Sequence, residues 1–147
     1  EGCHFIDLLV HLAAQPLTQV SVAALGARSG EPHASDTLTV TLAFCDGSVG
    51  TLHYFANGHP GFPKERIEVF TAGRVLVLDN FRKLTGFGWR GFGKMNLWRQ
   101  DKGQKACAAA FLRAVEAGGE APIGFDELME VSRVTIEVGR SLGRSLN

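Results

Sequence analysis

The sequence lacks most of the features that would assign it to a specialised class of protein. Its 15 basic and 15 acidic residues cancel, so no net charge favours nucleic acid or an anionic membrane. No apolar run reaches the roughly 18 residues that suggest a membrane span. The 3 cysteines are scattered without Cys-x-x-Cys spacing. This spacing argues against a disulfide framework or a zinc knuckle and favours reduced thiols in a cytoplasmic protein.

Several catalytic signatures are missing as well. We identify no Gly-x-Gly-x-x-Gly turn following a strand with an acidic ribose-binding residue downstream, no P-loop, no His-Glu-x-x-His and no Ser-centred nucleophile elbow. We therefore expect this chain alone to bind no dinucleotide tightly and to turn nothing over. Because it begins at Glu1 and not at a methionine, we expect further chain upstream.

What is present is the pattern of an α+β domain. The 147 residues are enough for a single domain, 1–147, with a real core. The apolar periodicity predicts a helix, then a run of antiparallel strands, then two helices. Strands segregated from helices favour α+β over alternating β-α-β order, with a mostly antiparallel, open-faced sheet and the helices packed on one face.

Two predicted β-hairpins give the clearest local pattern. Asp46-Gly47 is suited to a two-residue type I′ turn. Such a turn places Phe44 opposite Val49 and directs His53 toward the core. A second hairpin is predicted to turn at Ala72-Gly73.

The sheet face away from the helices is predicted to be too apolar to lie in water. Its predicted members are Thr39, Thr41, Leu52, Tyr54, Phe70, Val75 and Val77. Burial against another subunit is the simplest remedy, so we expect a homo-oligomer formed through this face.

The first helix carries the densest group of chemically capable side chains. His4, Asp7 and His11 are spaced i, i+3 and i+7, which places them along one side of a helix. The two histidines would be about 10 Å apart along the axis. Because zinc ligands lie about 2.1 Å from the ion, this spacing argues against a shared metal ion.

The segment Gly2-Cys3-His4-Phe5-Ile6-Asp7-Leu8 resembles the Gly-x-His-x-x-Asp-Leu segment of the glucose-fructose oxidoreductase / inositol dehydrogenase / MocA family. The likeness extends in order from Glu1 to about Leu142. Further similar segments are Lys64–Phe70, Arg74–Phe81 and Gln100–Gln104.

The resemblance implies a function for the chain and roles for individual residues. The chain would be the C-terminal substrate-binding and oligomerisation half of an oxidoreductase that uses NAD or NADP. The substrate would be a sugar, cyclitol or nucleotide-sugar, oxidised at a hydroxyl group. His4 would exchange a proton with that hydroxyl, and the upstream half would hold the nicotinamide cofactor and a catalytic lysine. Glu1, Asp7 and Lys102 are the candidate substrate-binding residues. Lys102 could reach an anionic group of the substrate, and Asp7 could bind a sugar hydroxyl or orient His4.

The sequence departs from the family at two positions. The family places an aspartate four residues before its histidine, a position that would precede Glu1. It also tends to have histidine where Gln104 stands.

An alternative interpretation needs no chemistry. In that interpretation the chain is a stand-alone, non-catalytic α+β dimerisation or binding module. His4 would then be a capping or core histidine, Asp7 a surface carboxylate, and Lys102 a solvated side chain at the start of a helix.

Overall fold

The structure is a computed structural model that describes residues 2–25 and 36–144, without the side chains of residues 143 and 144. The predicted loop 26–35 lies outside the described residues. The helices are α1 (Gly2–Ala13), α2 (Gln104–Ala117) and α3 (Phe125–Arg144). The strands are β1 (Leu17–Ala24), β2 (Thr37–Phe44), β3 (Val49–Phe55), β4 (Arg66–Thr71), β5 (Arg74–Asp79), β6 (Lys83–Phe87) and β7 (Lys94–Asn96).

The predicted α+β class is confirmed, and the strands are divided between two antiparallel sheets. Three strands pair in the order β1-β2-β3, and four pair in the order β4-β5-β6-β7. The chain also divides into two compact units. The first unit comprises residues 1–58 and 120–147, and the second comprises residues 59–119.

The first unit has a core because α1 and α3 pack against one another and against its sheet. α1 packs against β3, and α3 packs against β1. The most deeply buried side chains are Val40, Leu42 and Val134. α1 approaches β3 so closely that a Cβ added at Gly50 would lie 2.9 Å from Leu9.

The predicted register of the first hairpin is wrong by one residue. Ala43, not Phe44, pairs with Val49, because the loop holds three residues, Cys45 to Gly47. The Phe44 amide donates to the Ser48 carbonyl at 2.9 Å, and Gly47 has a φ of 87°. This combination is typical of a type I turn followed by a left-handed residue.

The shift reverses the faces of β3, because alternate side chains of a strand point to opposite sides. Leu52 and Tyr54, predicted on the open face, pack against the core. Val49, Thr51, His53 and Phe55 are the exposed residues of β3.

The second hairpin forms as predicted. Thr71 pairs with Arg74, and Ala72 and Gly73 have φ values of 46° and 73°, as a type I′ turn requires. Phe70 pairs with Val75 in the second sheet, whereas Thr39 and Thr41, predicted on the same face, lie in the first sheet, so the single predicted face is divided between two sheets. Among the described residues of the second unit no side chain is fully buried.

One Gly-x-Gly-x-x-Gly spacing does occur in the second unit, at Gly86, Gly88 and Gly91, although none was expected from the sequence. It begins within β6 and continues past its end. This segment leads to strand β7, whereas a dinucleotide-binding turn opens a helix. Gly86 instead leaves room for Phe92, whose ring would lie 2.7 Å from an added Cβ.

Candidate functional site

α1 presents His4 to solvent and holds Asp7 half-buried one turn further on. The helix is anchored by Ile6 and Val10, which are buried in the core. Among the described residues, 2–25 and 36–144, no side-chain hydrogen bond or ion pair involves His4 or Asp7. His4 is thus a solvent-accessible imidazole on a fixed helix, an arrangement that suits proton exchange with a ligand.

His11, the third polar residue of this helix, has a structural contact. Its Nδ1 lies 3.5 Å from Glu127 Oε1, so the pair joins α1 to α3. The His11 side chain is 73% exposed. Within the described parts of the chain no group of three His, Cys, Asp or Glu side chains is arranged to hold a metal ion.

His53 was wrongly predicted to face the core. It lies on the exposed side of β3, where its Nδ1 is 2.9 Å from the Thr39 hydroxyl of the paired strand β2. Its ring is also 5.5 Å from that of Phe55. The loop length of the hairpin decides the face that His53 occupies, and Asp46-Gly47 alone does not specify that length.

Lys102 makes an ion pair in the second unit. Its Nζ contacts Glu65 Oε1 and lies 5.7 Å from the centre of the Phe81 ring. The Lys102 side chain is 38% exposed and that of Glu65 is 13% exposed. Lys102 was a candidate site residue in the sequence analysis, whereas Glu65 was not. No local pattern links two residues so far apart in the chain.

The Glu65–Lys102 pair belongs to an open depression with a volume of about 490 Å³. Its lining residues are Pro60, Gly61, Phe62, Pro63, Lys64, Glu65, Asn80, Gln100 and Lys102, all in the second unit.

The predicted site residues therefore fall into separate groups. His4 and Asp7 lie on one helix of the first unit, and Lys102 lies in the second unit. Glu1 lies outside the described residues. In the described ranges 2–25 and 36–144, no helix has both the length and the apolar character needed to cross a membrane.

Comparisons with known proteins support the fold. No model of a protein family matches the sequence, and no curated protein matches it. Among solved structures, the chain is similar to a dehydrogenase from Chromobacterium violaceum, with a TM-score of 0.68 and 19% sequence identity. The match covers 99% of this chain and 46% of that one. The chain thus has the fold of somewhat less than half of that protein.

Proposed function

We propose that this chain is the C-terminal substrate-binding and oligomerisation domain of an NAD(P)-dependent oxidoreductase that acts on a sugar, cyclitol or nucleotide-sugar hydroxyl. The observation that carries the proposal is the fold match, which covers 99% of this chain and only 46% of a dehydrogenase. The ordered resemblance to glucose-fructose oxidoreductase and its relatives supports the same conclusion independently.

His4 is the proposed acid/base residue. Oxidation of a hydroxyl requires removal of the proton from oxygen, and an imidazole exchanges protons near neutral pH. The exposure of His4 on α1 supports this role. Asp7, Glu1 and Lys102 are proposed to bind the substrate.

The nicotinamide cofactor, NAD or NADP, would be held by the other half of the enzyme. The Gly-x-Gly-x-x-Gly segment of this chain joins two strands, whereas the glycine-rich turn that binds a dinucleotide opens a helix. The contribution of this chain would be to position the substrate and to accept its hydroxyl proton.

The decisive test uses the longer polypeptide that includes a nucleotide-binding half. We expect nicotinamide-dependent turnover to fall by about 10²–10⁴-fold in His4→Ala, the usual contribution of a general base. His11→Ala is the matched control on the same helix, and its turnover should stay close to that of the parent. Unchanged turnover in His4→Ala would make His4 structural and favour the non-catalytic module.

We also propose a homo-oligomer through the open face of the first sheet, redefined by the observed register. Thr51 pairs with Thr41 in the middle of this face, with Val49 and Phe55 exposed at 65% and 57%. Exposed apolar side chains on a sheet face without a covering helix are consistent with an interaction surface.

Light scattering tests the oligomer. The single chain has a mass of 15.8 kDa, and we expect a dimer of twice that mass that dissociates in Thr51→Asp. Ser132→Asp introduces the same charge at an exposed position of α3 and should leave the dimer intact. A monomeric parent chain would contradict the oligomerisation role without affecting the proposed role of His4.

A further inference from the structure

The segment that follows β3 contains the one Asn-Gly pair of the sequence, at Asn57 and Gly58. β3 ends at Phe55, and the next amide, that of Ala56, still donates to the Asp36 carbonyl at 3.1 Å. Asn57 and Gly58 lie beyond this last backbone contact, and both are exposed to solvent. Water and hydroxide ion therefore reach both residues.

Two groups of this pair, the Asn57 carboxamide and the Gly58 backbone amide, are not held by hydrogen bonds. Neither group has a hydrogen-bond partner among residues 2–25 and 36–144. The nearest atom to a Cβ added at Gly58 would be the Phe55 carbonyl oxygen, at 3.6 Å, so the space around the Gly58 amide is open. Because glycine also tolerates close approach of its backbone to other groups, the Gly58 nitrogen is free to reach the Asn57 side chain.

The other asparagines of the described chain are each held at one of the same two groups. Asn80 is half-buried, and its side-chain oxygen accepts from Gln100 Nε2 at 2.9 Å. Asn96 is exposed, but the backbone amide that follows it, that of Leu97, donates to the Arg82 carbonyl at 2.8 Å. Both asparagines also precede a bulky residue where Asn57 precedes glycine.

The Asp46-Gly47 pair gives a second comparison, because an aspartate before glycine can form the same cyclic imide as an asparagine. The Asp46 carboxylate accepts from the Ser48 amide and hydroxyl. The Gly47 amide donates to the Phe44 carbonyl at 3.0 Å. Both reacting groups are therefore engaged at Asp46-Gly47, whereas both are free at Asn57-Gly58.

We propose that Asn57 is a site of spontaneous deamidation, which converts its side chain to a carboxylate. The Gly58 amide loses its proton to hydroxide, and its nitrogen attacks Cγ of Asn57. A C–N bond forms and ammonia leaves, which closes a succinimide ring. Water then opens the ring at either carbonyl and gives aspartate or isoaspartate at this position. The inference does not rest on the proposed oxidoreductase function, because the reaction needs only water and hydroxide.

The test is incubation of the 147-residue chain at mildly alkaline pH, followed by anion-exchange chromatography and peptide mass spectrometry. We expect a form with one more negative charge to accumulate, and to do so faster at higher pH because the attacking amide must lose its proton. The mass change should map to the peptide that contains Asn57, with isoaspartate as well as aspartate there. Asn80 and Asn96 should lose their amides at least about tenfold more slowly, which corresponds to about 1.4 kcal/mol in activation free energy.

Two matched variants test the role of the Gly58 amide. Gly58→Ala should slow deamidation of Asn57 by about tenfold or more, because the added methyl group hinders ring closure at the nitrogen. Gly58 does not have positive φ, and the space around it admits a Cβ, so this variant should fold. Gly93→Ala adds the same methyl group at another exposed glycine and should leave the rate at Asn57 unchanged.

Incubation in urea separates the effect of the fold from that of the sequence. Unfolding releases the Leu97 amide from Arg82, so the rate at Asn96 should rise, whereas the rate at Asn57 should change little. Any of three results would overturn the inference. They are an Asn57 that keeps its amide as long as Asn96 in the folded chain, deamidation that Gly58→Ala does not slow, or a product that contains aspartate without isoaspartate.

Discussion

The β2–β3 and β4–β5 hairpins close with loops of different length. The first has a three-residue loop in which Gly47 alone has positive φ, and Gly47 donates to the Phe44 carbonyl at 3.0 Å. The second has a two-residue loop in which Ala72 and Gly73 both have positive φ. One extra loop residue exchanges the buried and exposed sides of the returning strand.

The sheets around the two hairpins also differ in burial. The first packs α1 and α3 on one face, and Leu42 of β2 is 0% exposed. In the described part of the second unit no side chain reaches that degree of burial, and Phe70 on its edge strand is 72% exposed. The sheet face on which a side chain lies therefore affects the free energy of unfolding more in the first sheet than in the second.

The largest expected effect is on the free energy of unfolding, when one leucine in each sheet is replaced by alanine. Leu42→Ala should lower the free energy of unfolding by about 2–5 kcal/mol, because it removes a fully buried side chain and leaves a cavity. Leu76→Ala on β5 should cost about 1–2 kcal/mol, because Leu76 is only half-buried. Urea denaturation, followed by NMR signals from each unit, measures both losses. Equal losses would contradict the difference between the sheets.

The next effect tests the turn glycines. Gly47→Ala and Gly73→Ala should each cost about 1–2 kcal/mol, because an alanine in the left-handed region brings its Cβ too close to the following carbonyl. Gly93→Ala is the control, because Gly93 has neither positive φ nor any atom within 4 Å of an added Cβ. Its stability should equal or slightly exceed that of the parent chain, and a loss like those of the turn variants would contradict the explanation.

A smaller effect, a gain in the free energy of unfolding, is expected from asparagine in the second turn and not in the first. Ala72→Asn should raise the free energy of unfolding by about 0.5–1 kcal/mol, because asparagine tolerates the left-handed region and Asn-Gly is favoured in type I′ turns. Cys45→Asn, at the first position of the other loop, should give no gain, because Cys45 does not have positive φ. Thermal denaturation of both variants measures the difference, and a gain at Cys45 equal to that at Ala72 would refute it.

The smallest effect is a pH dependence confined to the first turn. The Asp46 carboxylate accepts hydrogen bonds from the Ser48 amide nitrogen and hydroxyl oxygen, each with a donor–acceptor distance of 2.9 Å, and these bonds lower the pKa of Asp46. Because the pKa is lower in the folded state, the stabilisation is present above the unfolded pKa and is lost as the pH falls through the folded pKa.

Carboxyl-carbon NMR titration tests this dependence. In Ser48→Ala the pKa of Asp46 should rise part of the way toward its ordinary value, because the amide bond remains and the hydroxyl bond is gone. The Ala72-Gly73 turn has no titratable side chain and should show no matching transition. A pKa for Asp46 unaffected by Ser48→Ala would assign the shift to the backbone alone.

Much of the first helix and of the second hairpin could be predicted from local rules. Pro16 disfavours helical backbone at Gln15, the residue before it, and α1 ends at Ala13. The Ala72-Gly73 turn fixes the register of its hairpin, because the residues on either side of it, Thr71 and Arg74, pair with each other. The register predicted from Asp46-Gly47 was wrong because the same dipeptide fits a two-residue or a three-residue loop. Only packing against the core selects between these two loop lengths.

The start of α2 shows the same limit. Asp101 and Gln104 have the spacing of a capping box, yet the cap position is Gly103, in the left-handed region. Asp101 instead accepts the Gly103 amide at 2.8 Å, and its own amide donates to the Phe81 carbonyl. A contact with a residue twenty positions earlier fixes Asp101, and no local pattern contains that information.

The sequence alone determined the α+β class, the presence of the first helix and the Ala72-Gly73 turn, because these depend on periodicity and on residues close in the chain. It also placed His4 on the first helix. Only the tertiary structure decided which side of β3 is buried, that His11 contacts Glu127, and that Lys102 is paired with Glu65. These outcomes depend on contacts between residues distant in sequence, where burial and charge pairing outweigh local preference.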